Sequence, residues 1–171
     1  MTAAPVVPAP ADRPSDVREL VVRLFVPPAG GRPDDAAIGR YLAGGWRGGR
    51  DPNRWFAGRF YAAARGVADG CPLVHFVRKG AAAGLPPHPW VDLAWYARRY
   101  LDEPAPSAFA LVHLLETGLQ AGHVPHPALD EPAVAARLAA ADPAAREGAL
   151  AAVITERRAD RRRALALIDA D

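Results

Sequence analysis

Cysteine is almost missing from this sequence: Cys71 is the only one in 171 residues. An intramolecular disulfide is therefore excluded, and so is a zinc site built on cysteine. Lysine is as scarce, with Lys79 alone beside many arginines, which reads as the codon bias of a GC-rich genome. An excess of either charge is absent too. The formal net charge is +2 and the pI is near 9.0, a balance that does not demand a nucleic-acid partner. Long apolar runs are lacking. The stretch from Leu20 to Val26 is broken by Arg23 and stops at Pro27-Pro28, too short for a transmembrane segment. Met1 to Ala11 lack the basic start and apolar stretch of a secretory signal, so the expected location is cytoplasmic. Alternating apolar and polar residues are missing as well, and no strand is expected.

What is present is ordinary globular composition, 50% hydrophobic and 23% charged. Eighteen prolines and fifteen glycines are spread along the chain as punctuation, which suggests many short elements. The expected organisation is a disordered leader over 1–14, an N-terminal helix and linker over 15–33, a helical repeat array over 34–141, and a basic C-terminal helix over 142–171.

The repeat is the strongest signal. Leu73-Val74-His75-Phe76-Val77 returns as Leu111-Val112-His113-Leu114-Leu115, an offset of 111 − 73 = 38. The same offset maps Gly80 onto Gly118, Gly84 onto Gly122, Pro87-His88-Pro89 onto Pro125-His126-Pro127, and Asp92 onto Asp130. An earlier copy lies 80 − 45 = 35 residues upstream: Gly45, Gly49, Pro52, Trp55, Phe60 and Tyr61 map onto Gly80, Gly84, Pro87, Trp90, Trp95 and Tyr96. The three-residue difference falls between Tyr61 and Cys71. A unit of about 35–38 residues suits a helical hairpin. The fold class is therefore all-α, built from tandem helical hairpins.

Each unit is expected to hold two helices. The first runs from Trp90 to Tyr100, with Val91 and Trp95, like Phe56 and Phe60, four apart on one face. The second runs from Pro72 to Lys79, and from a Ser107 N-cap to Thr117. Gly80 and Gly118 are expected as left-handed C-caps, and Pro86-Pro87 blocks further helix. Ser15 is expected to cap a helix through Phe25 with Val17, Leu20, Val21 and Leu24 on one face, and Asp34 or Asp35 to start another through Ala43. Pro27 to Pro33 reads as a linker. The third copy replaces Trp90, Trp95 and Tyr96 by Ala128, Ala133 and Val134, as a terminal capping unit does. A last helix is expected from Asp142-Pro143 to about Ile168.

The pattern of His, aromatic, two spaced glycines and proline, followed by an aromatic helix, resembles tandem helical units found beside the catalytic domains of bacterial glycosyltransferases and rhamnan-synthesis-type polysaccharide proteins. The matching segments are Tyr41 to Asn53, His75 to Pro89 and His113 to Pro127, and the resemblance covers roughly Ile38 to Leu138. The acidic segment that usually follows the aromatic helix is only partly present, at Leu101-Asp102-Glu103-Pro104. The resemblance implies a non-catalytic module that binds or positions a protein partner, a glycosyltransferase or polysaccharide-assembly enzyme. Two rivals stay open: a glycosyltransferase subunit that needs a catalytic partner, and a structural or nucleic-acid-interaction protein. Self-association through an exposed repeat edge is a further expectation.

No catalytic, cofactor or metal residues are assigned. Asp169-Ala170-Asp171 matches the Asp-x-Asp string that holds a metal and a sugar diphosphate, but it lacks the surrounding sheet. The glycines at 44, 45, 48 and 49 lack the Gly-Lys-Ser/Thr ending and the strand of a nucleotide loop. His75 and His113 read as half-buried residues that hydrogen-bond a neighbouring loop in preference to an acid–base or metal pair, since Arg40 stands at the equivalent place. His88 and His126, with His123 nearby, suggest surface turns before a three-imidazole zinc site. The recurring aromatics are assigned mainly to packing between units. Trp46, Arg47, Arg50, His88 and His126 remain as candidate glycan or partner contacts. Arg157, Arg158, Arg161, Arg162 and Arg163 form a candidate surface for an anionic partner, or a solvated face shared with Glu156 and Asp160.

Overall fold

The computed structural model describes residues 16–26, 34–65, 70–101 and 107–168, with side chains described as far as 163. The expected leader, the Pro27 to Pro33 linker, Ser15, the acidic stretch after Leu101 and the terminal Asp-x-Asp string lie outside the described residues. Among the described residues every regular element is helical. The only strand-like pairing there is two isolated bridges, Asn53 to Phe56 and His88 to Val91.

Helix α1 is Val17–Leu24 and buries Leu20, Val21 and Leu24. Its cap is Asp16, whose carboxylate accepts the Arg18 N–H at 3.0 Å. Helix α2, Asp35–Leu42, is capped by the Asp34 carboxylate and buries Ile38 and Tyr41. A 3-10 turn follows over Gly45–Gly48.

The aromatic helices start later than expected. They are α3, Gly58–Arg65, and α5, Leu93–Tyr100. The reason is that the preceding amides are already committed. Val91 N–H donates to the His88 carbonyl, and Asp92 N–H to the Pro125 carbonyl at 2.9 Å. The Asp92 side chain then caps α5 by accepting the Trp95 N–H at 2.9 Å. Val91 and Phe56 therefore precede their helices, and neither shares a helical face with Trp95 or Phe60. Both are still core residues, buried to 2% and 0% exposure.

The second helices are shorter in α form and continue differently. Helix α4, Pro72–His75, runs into a π turn over Phe76–Gly80. Helix α6, Ala108–His113, capped by Ser107, runs into a π turn over Leu114–Gly118 and then α7, Leu119–Ala121. Gly80 and Gly118 are not the left-handed caps. Gly118 is helical, with φ −62°, and Gly80 does not have positive φ. The caps are Gly84 (φ 74°) and Gly122 (φ 84°). Each completes a Schellman motif: Gly84 N–H donates to Ala81 and Leu85 N–H to Gly80, while Gly122 N–H donates to Leu119 and His123 N–H to Gly118.

A ladder of loop contacts links successive segments. Val26, Ala57 and Asp92 each donate a backbone N–H, at 2.9 Å, to the carbonyl of Pro52, Pro87 and Pro125 respectively. Proline lacks a donor, but its carbonyl is a full acceptor. Phe25 packs edge-on against Tyr41 at 5.3 Å, as Phe56 does against Phe76 at 5.4 Å.

Helix α8 is Pro132–Ala139. The last helix begins later than Asp142-Pro143. A 3-10 turn over Pro143–Ala145, with no side-chain cap from Asp142, leads into α9, Arg146–Ile168. The α9 residues Leu150, Val153 and Ile154 are buried in the core that includes Val134 and Leu138 of α8. The Arg146 guanidinium donates to the carbonyls of Leu138 and Gln120. Helix α1 packs across α4 and α6, and Arg23 pairs with Glu116 through a 2.8 Å hydrogen bond.

Candidate functional site

The loop histidines have a definite structural task. His88 Nδ1 accepts the Trp90 N–H, and His126 Nδ1 accepts the Ala128 N–H, both at 3.1 Å. Asn53 Oδ1 accepts the Trp55 N–H at 2.8 Å from the equivalent place. Each side chain folds back onto the amide two residues on, as an Asx turn does. Because Nδ1 accepts, the neutral ring carries its proton on Nε2. Aromatic edges join successive loops: Trp55 meets His88 at 6.1 Å and Trp90 meets His126 at 5.9 Å.

His88 and His126 line one cleft of about 340 Å³, with Phe60, Leu85 and Asp92. His88 also borders a cleft of about 370 Å³ against α9, with Arg54, Trp55, Ile154 and Arg158. Burial first, and Arg158 second, push the His88 pKa down to about 4. Among the described residues, no three His, Cys, Asp or Glu side chains are grouped as a metal site requires.

His75 and His113 each bond a tyrosine of a helix, not a neighbouring loop as expected, and His113 is buried, not half-buried. Tyr61 Oη lies 2.6 Å from His75 Nδ1, and Tyr96 Oη lies 2.9 Å from His113 Nδ1. Tyr96 Oη is also 3.2 Å from His123 Nδ1. One hydroxyl has one proton, so it donates to only one of these rings. The other ring carries its proton on Nδ1 and donates to Oη. His123 stacks on Tyr100 with centroids 3.9 Å apart. Burial, then His113 and Arg99, push the His123 pKa down to about 4. Burial lowers His113 as well and pushes Tyr61 up to about 12.

This arrangement explains the recurring glycines. A Cβ at Gly80 would collide with Tyr61 Oη, and one at Gly118 with Tyr96 Oη. The tyrosine–histidine–glycine lock was not read from the sequence, although its three residue types recur there. The signal was a glycine five residues after each histidine, which a C-cap explains equally well until the backbone is seen.

The other candidates are dispersed. Trp46 is half-buried against the core, and the Arg47 guanidinium covers its ring at 4.5 Å. Arg50 lies elsewhere, in a cleft beside α2 with Arg40 and Tyr41. Among the aromatics, Trp55, Tyr61 and Tyr96 are core, with 1%, 0% and 0% exposure. Trp55 Nε1 donates to the Glu147 carboxylate of α9 at 3.1 Å.

The α9 arginines divide into two groups. Arg157 donates to the Ala128 carbonyl and to Glu131 at 2.7 Å, and Arg163 pairs with Asp160 at 2.9 Å. Arg158, Arg161 and Arg162 are exposed and have no carboxylate partner among the described residues. No described helix is long and apolar enough to cross a membrane. The chain matches no protein-family model, no curated protein and no solved structure.

Proposed function

We propose that the chain is a non-catalytic array of tandem helical units that holds a protein partner, a glycosyltransferase or polysaccharide-assembly enzyme, in cytoplasmic steps of bacterial surface-glycan synthesis. One observation carries the reading: the residues that resemble the glycosyltransferase-associated units are used the same way in successive copies. His75 and His113 bond a tyrosine of the preceding helix, Gly80 and Gly118 make room for its hydroxyl, and Gly84 and Gly122 end the turn. These roles are architectural, as a scaffold requires. The glycan assignment enters through the resemblance, since fold does not dictate function. Repeat arrays offer extended surfaces for partners, and Trp46, Arg47, Arg50, His88 and His126 are the contact candidates.

The test is cross-linked affinity purification from the native cell at low and high salt, with partners identified by mass spectrometry. Salt-resistant recovery of a glycosyltransferase or polysaccharide-assembly enzyme supports the reading. Turnover of a nucleotide sugar by the isolated chain would replace it with an enzyme-subunit reading.

A second reading has its own observation, the exposed Arg158, Arg161 and Arg162 on α9, which have no carboxylate partner among the described residues. They suit a polyanion. That reading requires binding that weakens steeply with salt and is lost on Arg161→Glu with Arg162→Glu.

A further inference from the structure

The arginines on and around α9 are unequally matched. Arg137, Arg157 and Arg163 each meet a carboxylate, that of Glu156, Glu131 and Asp160 respectively. Arg158 and Arg162 are exposed and meet none among the described residues. They stand one helical turn apart, where like charges repel mildly. The Arg162 Nε donates to the Arg158 carbonyl at 3.4 Å, which lays its side chain back over the turn of Arg158. Two cations are therefore kept side by side, an arrangement that an anion from outside would stabilise.

That side of α9 opens onto a cleft. Arg158 lines the cleft of about 370 Å³ between α9 and the loops of Trp55 and His88, together with Ala151, Ala152, Ile154 and Thr155. Ala151, Thr155, Arg158 and Arg162 follow one another at helical spacing and form one stripe, while Arg161 falls on the neighbouring face. Ala151 and Ala152 are half-buried, so apolar wall stays open to an occupant. His88 Nδ1 accepts the Trp90 N–H, so its Nε2 carries the proton and adds a donor. The Glu147 carboxylate is already engaged: it accepts from Trp55 Nε1 at 3.1 Å and pairs with Arg54 at 4.0 Å.

The dimensions select the anion. Arg158 and Arg162 are about 6 Å apart along the helix axis. Carboxylates two residues apart on an extended peptide are separated by about 6.6 Å, and arginine forks suit them. A phosphodiester backbone gains by neutralising a long row of cations, and the unmatched row along the cleft is one turn long. Base stacking needs an open aromatic face, and Trp55 is 1% exposed.

We infer that the cleft between α9 and the loops of Trp55 and His88 docks an extended acidic peptide segment of a partner protein. Its carboxylates meet Arg158 and Arg162, and a neighbouring apolar side chain lies on Ala151 and Ala152. The inference rests on the reading of the α9 arginines as a surface for a polyanion and names the chemistry of that partner.

The experiment is fluorescence anisotropy of the labelled peptide Glu-Ser-Glu-Ser-Leu-Ser-Glu-Ser-Glu with the full chain; its symmetry suits either chain direction. Saturable binding is expected. Replacing the leucine by serine is expected to weaken binding about tenfold, the loss of one buried apolar side chain. Arg158→Glu with Arg162→Glu, at exposed positions, is expected to weaken it about tenfold or more without changing the melting temperature. Arg161→Glu makes the same charge change on the neighbouring face and is expected to weaken binding less than Arg158→Glu alone. A uridine oligonucleotide of equal charge is expected to bind more weakly than the peptide. The proposal is overturned if the peptide does not saturate, if its serine form binds equally well, if Arg161→Glu costs as much as Arg158→Glu, or if the oligonucleotide binds as tightly. Binding of the oligonucleotide alone would overturn the proposal and keep the polyanion reading, and binding of neither would remove both.

Discussion

Tyr96 Oη meets two histidines and leaves no space for a side chain at residue 118. That close fit is testable at the residue scale. In Gly118→Ala the new methyl strikes Oη. In Tyr96→Phe with Gly118→Ala that atom is gone, and the nearest ring carbon lies 3.3 Å from the methyl position. The alanine should therefore cost much less stability in the phenylalanine background. Urea unfolding of the four proteins is expected to give a coupling of about 1–3 kcal/mol. Additive effects would mean that Gly118 is there for another reason. The histidines make a second residue-scale prediction. His88 and His123 fall from 6.5 to about 4, so both folded and unfolded chains hold them neutral above pH 6.5. Below that, the unfolded chain takes up protons that the folded chain refuses. Stability therefore declines from about pH 6.5 to about pH 4, where the folded state protonates too. Protonated His88 would also aim an Nδ1–H at the Trp90 N–H it now accepts. Urea midpoints across this range are expected to fall, and His88→Asn to flatten the decline. An unchanged slope in that variant would remove His88 from the account.

At the scale of elements, much was legible from the sequence. The helical class, the cap at Asp34, the Ser107 cap and the buried face of α1 follow from periodicity and capping chemistry. Helix starts in the aromatic segments did not. Trp90 and Val91 are apolar and lie at helical spacing from Trp95, yet a backbone bond from Asp92 to Pro125, 33 residues away, holds the chain extended there. No local pattern encodes a partner that distant. The π turns were hidden for a related reason: each ends at a glycine packed against a tyrosine hydroxyl from another helix. The candidate site was partly legible. His88 and His126 read as surface-turn residues in the sequence; they do bond the turn amides, but both are half-buried, and their equivalence with Asn53 shows only in the hydrogen bonds. That equivalence makes a prediction. His126→Asn should preserve the turn, as Asn53 does, while His126→Ala should lose about 1 kcal/mol, the usual loss for a side-chain cap. Thermal unfolding of the two variants compares them directly, and equal losses would refute the Asx-turn role.

At the scale of the whole molecule, the two end helices tie together segments far apart in sequence. Helix α1 reaches Glu116 through Arg23, and α9 reaches Trp55 through Glu147. The ion pair itself is partly exposed and contributes at most about 1 kcal/mol. The apolar contacts of Leu24, Leu150, Val153 and Ile154 carry more. The central claim is that these contacts make the described helices one cooperative body. It is tested most directly by urea unfolding of the full chain and of Leu150→Ala, followed by tryptophan fluorescence and by far-UV circular dichroism. Leu150 is 1% exposed, so its truncation should cost about 2–5 kcal/mol. The account predicts that both probes move together to a lower midpoint in the variant, because Trp55 senses the loss of α9. A fluorescence transition that stays in place while the helical signal shifts would show that α9 folds apart from the rest, and would contradict it.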